Sequence, residues 1–128
     1  TLNDNTGKVI RTLKNNENLN KTLQEFDLSP AEFTSLKISE NLSLNAYIIK
    51  PKDFDENKKY PVLMHVYGGP GSQTVKNQWL GSNFYWHQML AQQGYIIVSV
   101  DNRGTGARGA DFQKVTYKEL GKWLFYKG

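Results

Sequence analysis

The sequence has no cysteine, which excludes disulfides and thiolate metal ligands but fixes no compartment. Histidine is nearly absent too: only His65 and His87 occur in 128 residues. Neither has His, Asp or Glu neighbours at ligand spacing, so no metal site is expected. Long apolar runs are missing. None exceeds the stretch around Tyr95–Val98, far short of the roughly 20 residues a membrane helix needs. The first residues show no charged-then-apolar leader, so no signal peptide is expected among them. Clustered charge is also lacking. The net charge of +4 comes from 16 Lys and Arg against 12 Asp and Glu, with Asp53, Asp55 and Glu56 interleaved among the bases. A nucleic-acid footprint needs basic side chains gathered on one face, so these read as ordinary solvated surface and no nucleic-acid partner is expected. Hydrophobic residues make up 38% of the chain and mean hydropathy is −0.61, which allows one modest core.

What remains is a pattern of short β segments, one helix and glycine turns. Thr1 to Asn16 reads as two short strands around the turn-rich Asn3-Asp4-Asn5-Thr6-Gly7. Asn15 to Pro30 is polar, Asn-rich and without a sustained period, and is read as a connection. Leu36 and Ile38, then Leu42, Leu44, Ala46 and Ile48, alternate with polar neighbours across Glu40-Asn41, which predicts a half-buried hairpin ended by Pro51. Val62 to Val66 and Tyr95 to Val100 are near-continuous apolar runs of the kind buried parallel strands show. Trp79 to Gln93, with Phe84, Met89 and Leu90, predicts a helix stopped by Gly94. Strand, helix, strand in this order implies a crossover and a parallel pair.

Three features compete for a functional role. Val66-Tyr67-Gly68-Gly69-Pro70-Gly71-Ser72 follows a strand end, where glycines allow a tight turn and close approach to a ligand. Gly104-Thr105-Gly106-Ala107-Arg108-Gly109 satisfies G-x-G-x-x-G after a strand. Asp101-Asn102-Arg103 intervenes between that strand and the first glycine, and the acid expected about 20 residues further on would fall where the sequence stops. A pinned glycine turn is therefore favoured over a dinucleotide site, and no cofactor is expected. His65 and His87 lack a serine partner, because Ser72, Ser82 and Ser99 do not stand in Gly-x-Ser-x-Gly; both are read as packing or surface residues.

Four segments, Tyr60-Pro61-Val62-Leu63, Val66 to Gln73, Gly94-Tyr95-Ile96-Ile97-Val98 and Asp101-Asn102-Arg103-Gly104-Thr105-Gly106, resemble in order the opening of the catalytic domain of the prolyl oligopeptidase family, on its dipeptidyl peptidase IV side. The resemblance runs from about Leu13 to Gly121. It implies an α/β fold, with residues 1–28 the end of a β-propeller and its connection, and residues 29–128 the N-terminal part of an α/β-hydrolase catalytic domain. It also implies a serine exopeptidase that releases N-terminal dipeptides with Pro or Ala second, an extracytoplasmic location, a peptide substrate and a homo-oligomer.

By the same resemblance, the Tyr67 hydroxyl is one donor of an oxyanion hole whose serine, acid and base lie beyond this stretch. Such a donor is typically worth roughly 3 to 4 kcal/mol in the transition state. Gln73, on the same loop, is the candidate substrate-binding residue. The competing expectation is a non-catalytic binding module or an inactive relic. Leu120-Gly121-Lys122 still fits the family pattern, whereas Trp123 to Gly128 is apolar and basic where the family continues with an acid and a helix.

Overall fold

The computed structural model of the protein describes residues 1–79 and 81–120. The divergent tail, Trp123 to Gly128, lies outside the described residues.

Two short strands open the chain, β1 (Leu2–Asn3) and β2 (Val9–Arg11), paired antiparallel. Their turn is built by Asp4, whose Oδ1 accepts from the Thr6 and Lys8 amides at 2.9 and 3.0 Å and from the Thr6 hydroxyl at 2.6 Å. The Thr6 hydrogen bonds hold the Asp4 carboxyl below its usual range. The stretch read as an aperiodic connection contains a helix, α1 (Glu17–Gln24). It buries nothing, and local polar contacts support it. The Asn15 side chain accepts from the Glu17 amide at 3.2 Å, and Glu17 pairs with Lys21 one turn on at 3.0 Å.

The main sheet begins with the expected hairpin, β3 (Ala31–Ser39) and β4 (Leu42–Ile49), in register Leu36↔Leu44 and Phe33↔Tyr47. It continues through β5 (Val62–Met64), α2 (Ser82–Gln92) and β6 (Ile96–Val100), and a short helix, α3 (Ala110–Lys114), follows. Strand order is β3-β4-β6-β5. β6 runs antiparallel to β4 and parallel to β5, so the crossover gives the parallel pair that the sequence implied. Pairing extends past β5 at both ends, with the Ile96 amide on the Pro61 carbonyl at 2.9 Å and the His65 amide on the Val98 carbonyl at 2.8 Å.

Residues opposite one another across a ladder share a face. One face therefore carries Phe33, Tyr47, Ile49, Ile97, Ser99 and Leu63, and α2 lies on it. Tyr47, Ile49, Ile97 and Ala91 of α2 form the buried core, with Leu63, Leu90, Val75 and Tyr95 packed around it. The other face carries Leu36, Leu44, Ile48, Val98, Val62 and Met64. The half-burial expected of the hairpin belongs to β4 alone, since every residue of β3 is exposed. The β5 strand is also less buried than its sequence suggests. Val62 is 57% and Met64 61% exposed, because β5 is the sheet edge and only Leu63 points to the covered face. The alternating apolar set of the hairpin lies on the face away from α2, where Ala46 is buried and Leu44 and Ile48 are half-buried, while the core against α2 draws on the residues between.

Candidate active site

β5 and β6 end side by side, and the loops that leave them are bonded to each other. After β5 the chain runs Val66, Tyr67, Gly68 and on to Thr74; after β6 it runs Asp101 to Gly109. Two contacts fasten the loops. The Gly71 amide donates to the Gly104 carbonyl at 2.8 Å. Asp101 Oδ1 accepts from the Thr74 amide at 2.7 Å, the Thr74 hydroxyl at 3.0 Å and the Val75 amide at 3.2 Å. Ser99, buried on the α2 side, donates to the Thr74 hydroxyl at 3.0 Å.

Tyr67 stands at the top of β5 and is 61% exposed. Its ring lies over Gly69, where a Cβ would stand only 2.8 Å from the ring's Cε1. Any side chain at 69 would displace the ring, so glycine here fixes where the tyrosine rests. Gln73 sits on the descending limb of the same loop and is half-buried. Both sequence-predicted site residues thus share one loop, at the end of the strand where open α/β sheets bind ligands.

The glycines of the G-x-G-x-x-G stretch have structural tasks. Gly104 packs against Thr116, where a Cβ would meet the Thr116 methyl at 2.6 Å; Gly106 faces the Gly71 carbonyl, 3.3 Å from where its own Cβ would be. The Gly104 amide donates to the Phe112 carbonyl at 3.0 Å. The close approach that a nucleotide phosphate would use is taken up by protein. Asp101 pins the glycine loop after β5, and Arg108 reaches back to the Ser43 carbonyl at 3.0 Å with its guanidinium 4.5 Å from the Phe112 ring centre.

The two histidines come together, which sequence reading did not show. Their ring centres are 5.0 Å apart, edge to face. His87 is fully buried, and burial, with His65 adding to it, holds its imidazole below the ordinary range. The signal was available in the strand parity: His65 follows Leu63 by two, which puts it on the face that α2 covers. Gln88, the neighbour of His87, was also missed. It makes a buried two-point contact to Ser29, accepting from the amide at 2.7 Å and donating to the carbonyl at 2.8 Å. A cleft of about 440 Å³ lined by Phe33, Tyr47, Trp79, Phe84 and Lys76 opens beside it. Burial also pushes the Tyr47 hydroxyl above its usual range. Among the described residues, no three His, Cys, Asp or Glu side chains are grouped closely enough to hold a metal, and no helix is long and apolar enough to cross a membrane.

Residues 82–126 match the model of the prolyl oligopeptidase family. The chain is 40% identical over 122 residues to the probable dipeptidyl-aminopeptidase B of Arthroderma gypseum, covering 95% of this chain and 13% of that protein. To the dipeptidyl peptidase 4 of Trichophyton equinum it is 36% identical over 115 residues, 89% of this chain and 15% of the relative. Its structure superposes on the crystal structure of Porphyromonas gingivalis dipeptidyl peptidase 4 with a TM-score of 0.79 and 43% identity, covering 94% of this chain and 17% of that one. The chain thus spans between 13% and 17% of the length of these relatives. These 128 residues therefore belong to the prolyl oligopeptidase family, among relatives that carry the name dipeptidyl peptidase.

Proposed function

We propose that this sequence supplies the tyrosine half of the oxyanion hole of a serine exopeptidase that removes dipeptides from peptide N-termini, with Pro or Ala as the second residue. The observation that carries this is the placement of Tyr67. Its exposed phenol stands at the end of a parallel strand, on a loop bonded at two points to the loop of the neighbouring strand. A donor held in advance at that place acts on charge that develops only in the transition state, and it needs no reorganisation when the charge forms. In this reading a serine outside these 128 residues attacks the peptide carbonyl. The carbonyl oxygen becomes an oxyanion that accepts from the Tyr67 hydroxyl; the tetrahedral intermediate collapses, expels the amine and leaves an acyl-enzyme, which water then hydrolyses. Gln73, on the same loop, faces the bound peptide.

The dipeptide length is supported by the names of the relatives, and the preference at the second position by the resemblance of Val66 to Gln73 to the family alone. Residues 1–28 are assigned in the same reading to the end of a β-propeller, and the remainder to the opening of an α/β-hydrolase domain. The whole enzyme is assigned to an extracytoplasmic compartment, as a homo-oligomer.

Tyr67→Phe in the full-length enzyme tests the reading. The expected result is a loss of kcat and kcat/KM together by roughly a hundredfold or more, with KM nearly unchanged. A packing tyrosine would instead tolerate Phe, and wild-type turnover in that variant removes the oxyanion role. The 128-residue chain alone is expected to leave a Gly-Pro-linked chromogenic substrate uncleaved and to escape fluorophosphonate labelling. Stoichiometric labelling would place a reactive serine inside it.

A further inference from the structure

We propose that Asp101 is a positioning residue, whose carboxylate holds the loop that carries Tyr67 and so sets where the Tyr67 hydroxyl stands. The proposal rests on the oxyanion reading of Tyr67.

Asp101 is 3% exposed and directly follows β6. One of its oxygens, Oδ1, takes all three donors that the loop offers at Thr74 and Val75, at 2.7, 3.0 and 3.2 Å. The other, Oδ2, is buried without a hydrogen-bond partner. Burying a carboxylate is costly unless hydrogen bonds compensate it, and here the three bonds to the loop supply that compensation. Bonds to an ionised acceptor are roughly twice as strong as neutral ones, so the charge stiffens this attachment in particular.

The remaining attachments show what that stiffness controls. The loop enters from the ladder, with the His65 amide on the Val98 carbonyl at 2.8 Å. Midway, the Gly71 amide is tied to the Gly104 carbonyl, and Gly106 lies so near the Gly71 carbonyl that a Cβ there would stand 3.3 Å from it. Asp101 fixes the exit. Tyr67 lies inside the closed span, its ring resting on Gly69 of the same loop. Releasing the exit frees the floor on which the ring rests, so Asp101 acts only through the loop.

A double-mutant cycle in the full-length peptidase that carries this sequence, read with a Gly-Pro-linked chromogenic substrate, tests the assignment. Asp101→Ala is expected to lower kcat on the order of tenfold with KM within about twofold, and Asp101→Asn, which keeps an acceptor oxygen in place, to recover kcat to within about threefold of wild type. On a Tyr67→Phe background, Asp101→Ala is expected to lower kcat by less than about twofold, because the group it positions is gone. If Asp101→Ala is insoluble, Thr74→Val removes one of the three donors and runs the same cycle, with about a threefold loss that vanishes beside Tyr67→Phe. Equal losses on both backgrounds, or a lowered melting temperature with kcat intact, overturn the positioning role while leaving the oxyanion reading in place. A Tyr67→Phe variant with normal kcat overturns both.

Discussion

The two faces of the four-stranded sheet have similar apolar content but opposite surroundings. On one, Tyr47, Ile49 and Ile97 meet Ala91 of α2 and are almost completely buried. On the other, Val62 and Met64 are more than half exposed and Leu36 is 37% exposed, although their sequence pattern is the cleaner of the two. Periodicity therefore tells which residues share a face, not which face is covered. Coverage depends on what packs there, and α2 covers only one side.

The largest expected effect separates the faces directly. Ile97→Ala opens a cavity among Tyr47, Ile49 and Ala91 and is expected to destabilise the 128-residue chain by about 3 kcal/mol in urea unfolding. Met64→Ala on the open face is expected to cost less than about 1 kcal/mol, because most of its surface is already in water. Similar costs for the two would show that the open face is covered in solution. Next in size is Gln88→Ala, which strands the Ser29 amide and carbonyl in a buried place; a loss of about 2 kcal/mol is expected, and a neutral result would mean that this contact is solvated.

A smaller effect depends on pH. Because the folded-state value of His87 lies below the ordinary imidazole value of about 6.5, the unfolded chain binds this proton more readily. The His87 contribution is fully present above about pH 6.5 and is lost as pH falls toward the lower, folded-state value. Wild type is expected to lose more melting temperature between pH 7.5 and 5.5 than His87→Gln does. Parallel profiles would remove His87 as the cause. The smallest stability effect is expected from Val62→Thr with Met64→Gln, which leaves the unfolding midpoint nearly unchanged. The same pair is expected to reduce self-association in sedimentation, since the exposed edge of β5 and its apolar face are the surfaces offered for pairing. A wild-type chain that stays monomeric at high concentration contradicts this.

Much of the local architecture is legible in the sequence. Alternation across Glu40-Asn41 gives the hairpin, Gly94 marks the end of α2, and the strand-helix-strand order gives the parallel pair. The glycines after Val66 identify the loop that carries Tyr67 and Gln73. What escaped reading depends on partners distant in sequence. The helix α2 buries His87, Gln88 and Ala91 while Trp86 and Met89 stay largely exposed, the reverse of what side-chain hydropathy suggests. Its buried polar residues make sense only once Ser29 and His65 are known to lie opposite. Asp101 likewise reads as part of a glycine motif, and its three bonds to Thr74 and Val75 become visible only when β5 and β6 are neighbours. The helix α1 escaped because it is short and mostly polar, its apolar stripe reduced to Leu19 and Leu23 one turn apart.

The bonds between the Tyr67 loop and the β6 loop also make the crossover between them a tether and not a ruler. The register Val62↔Ile96 to Met64↔Val98, with Asp101 and Gly104 closing above it, fixes the site without reference to how many residues lie between Lys76 and Gly81. Insertions there, or even a cut in the backbone, would leave the two halves joined through the sheet.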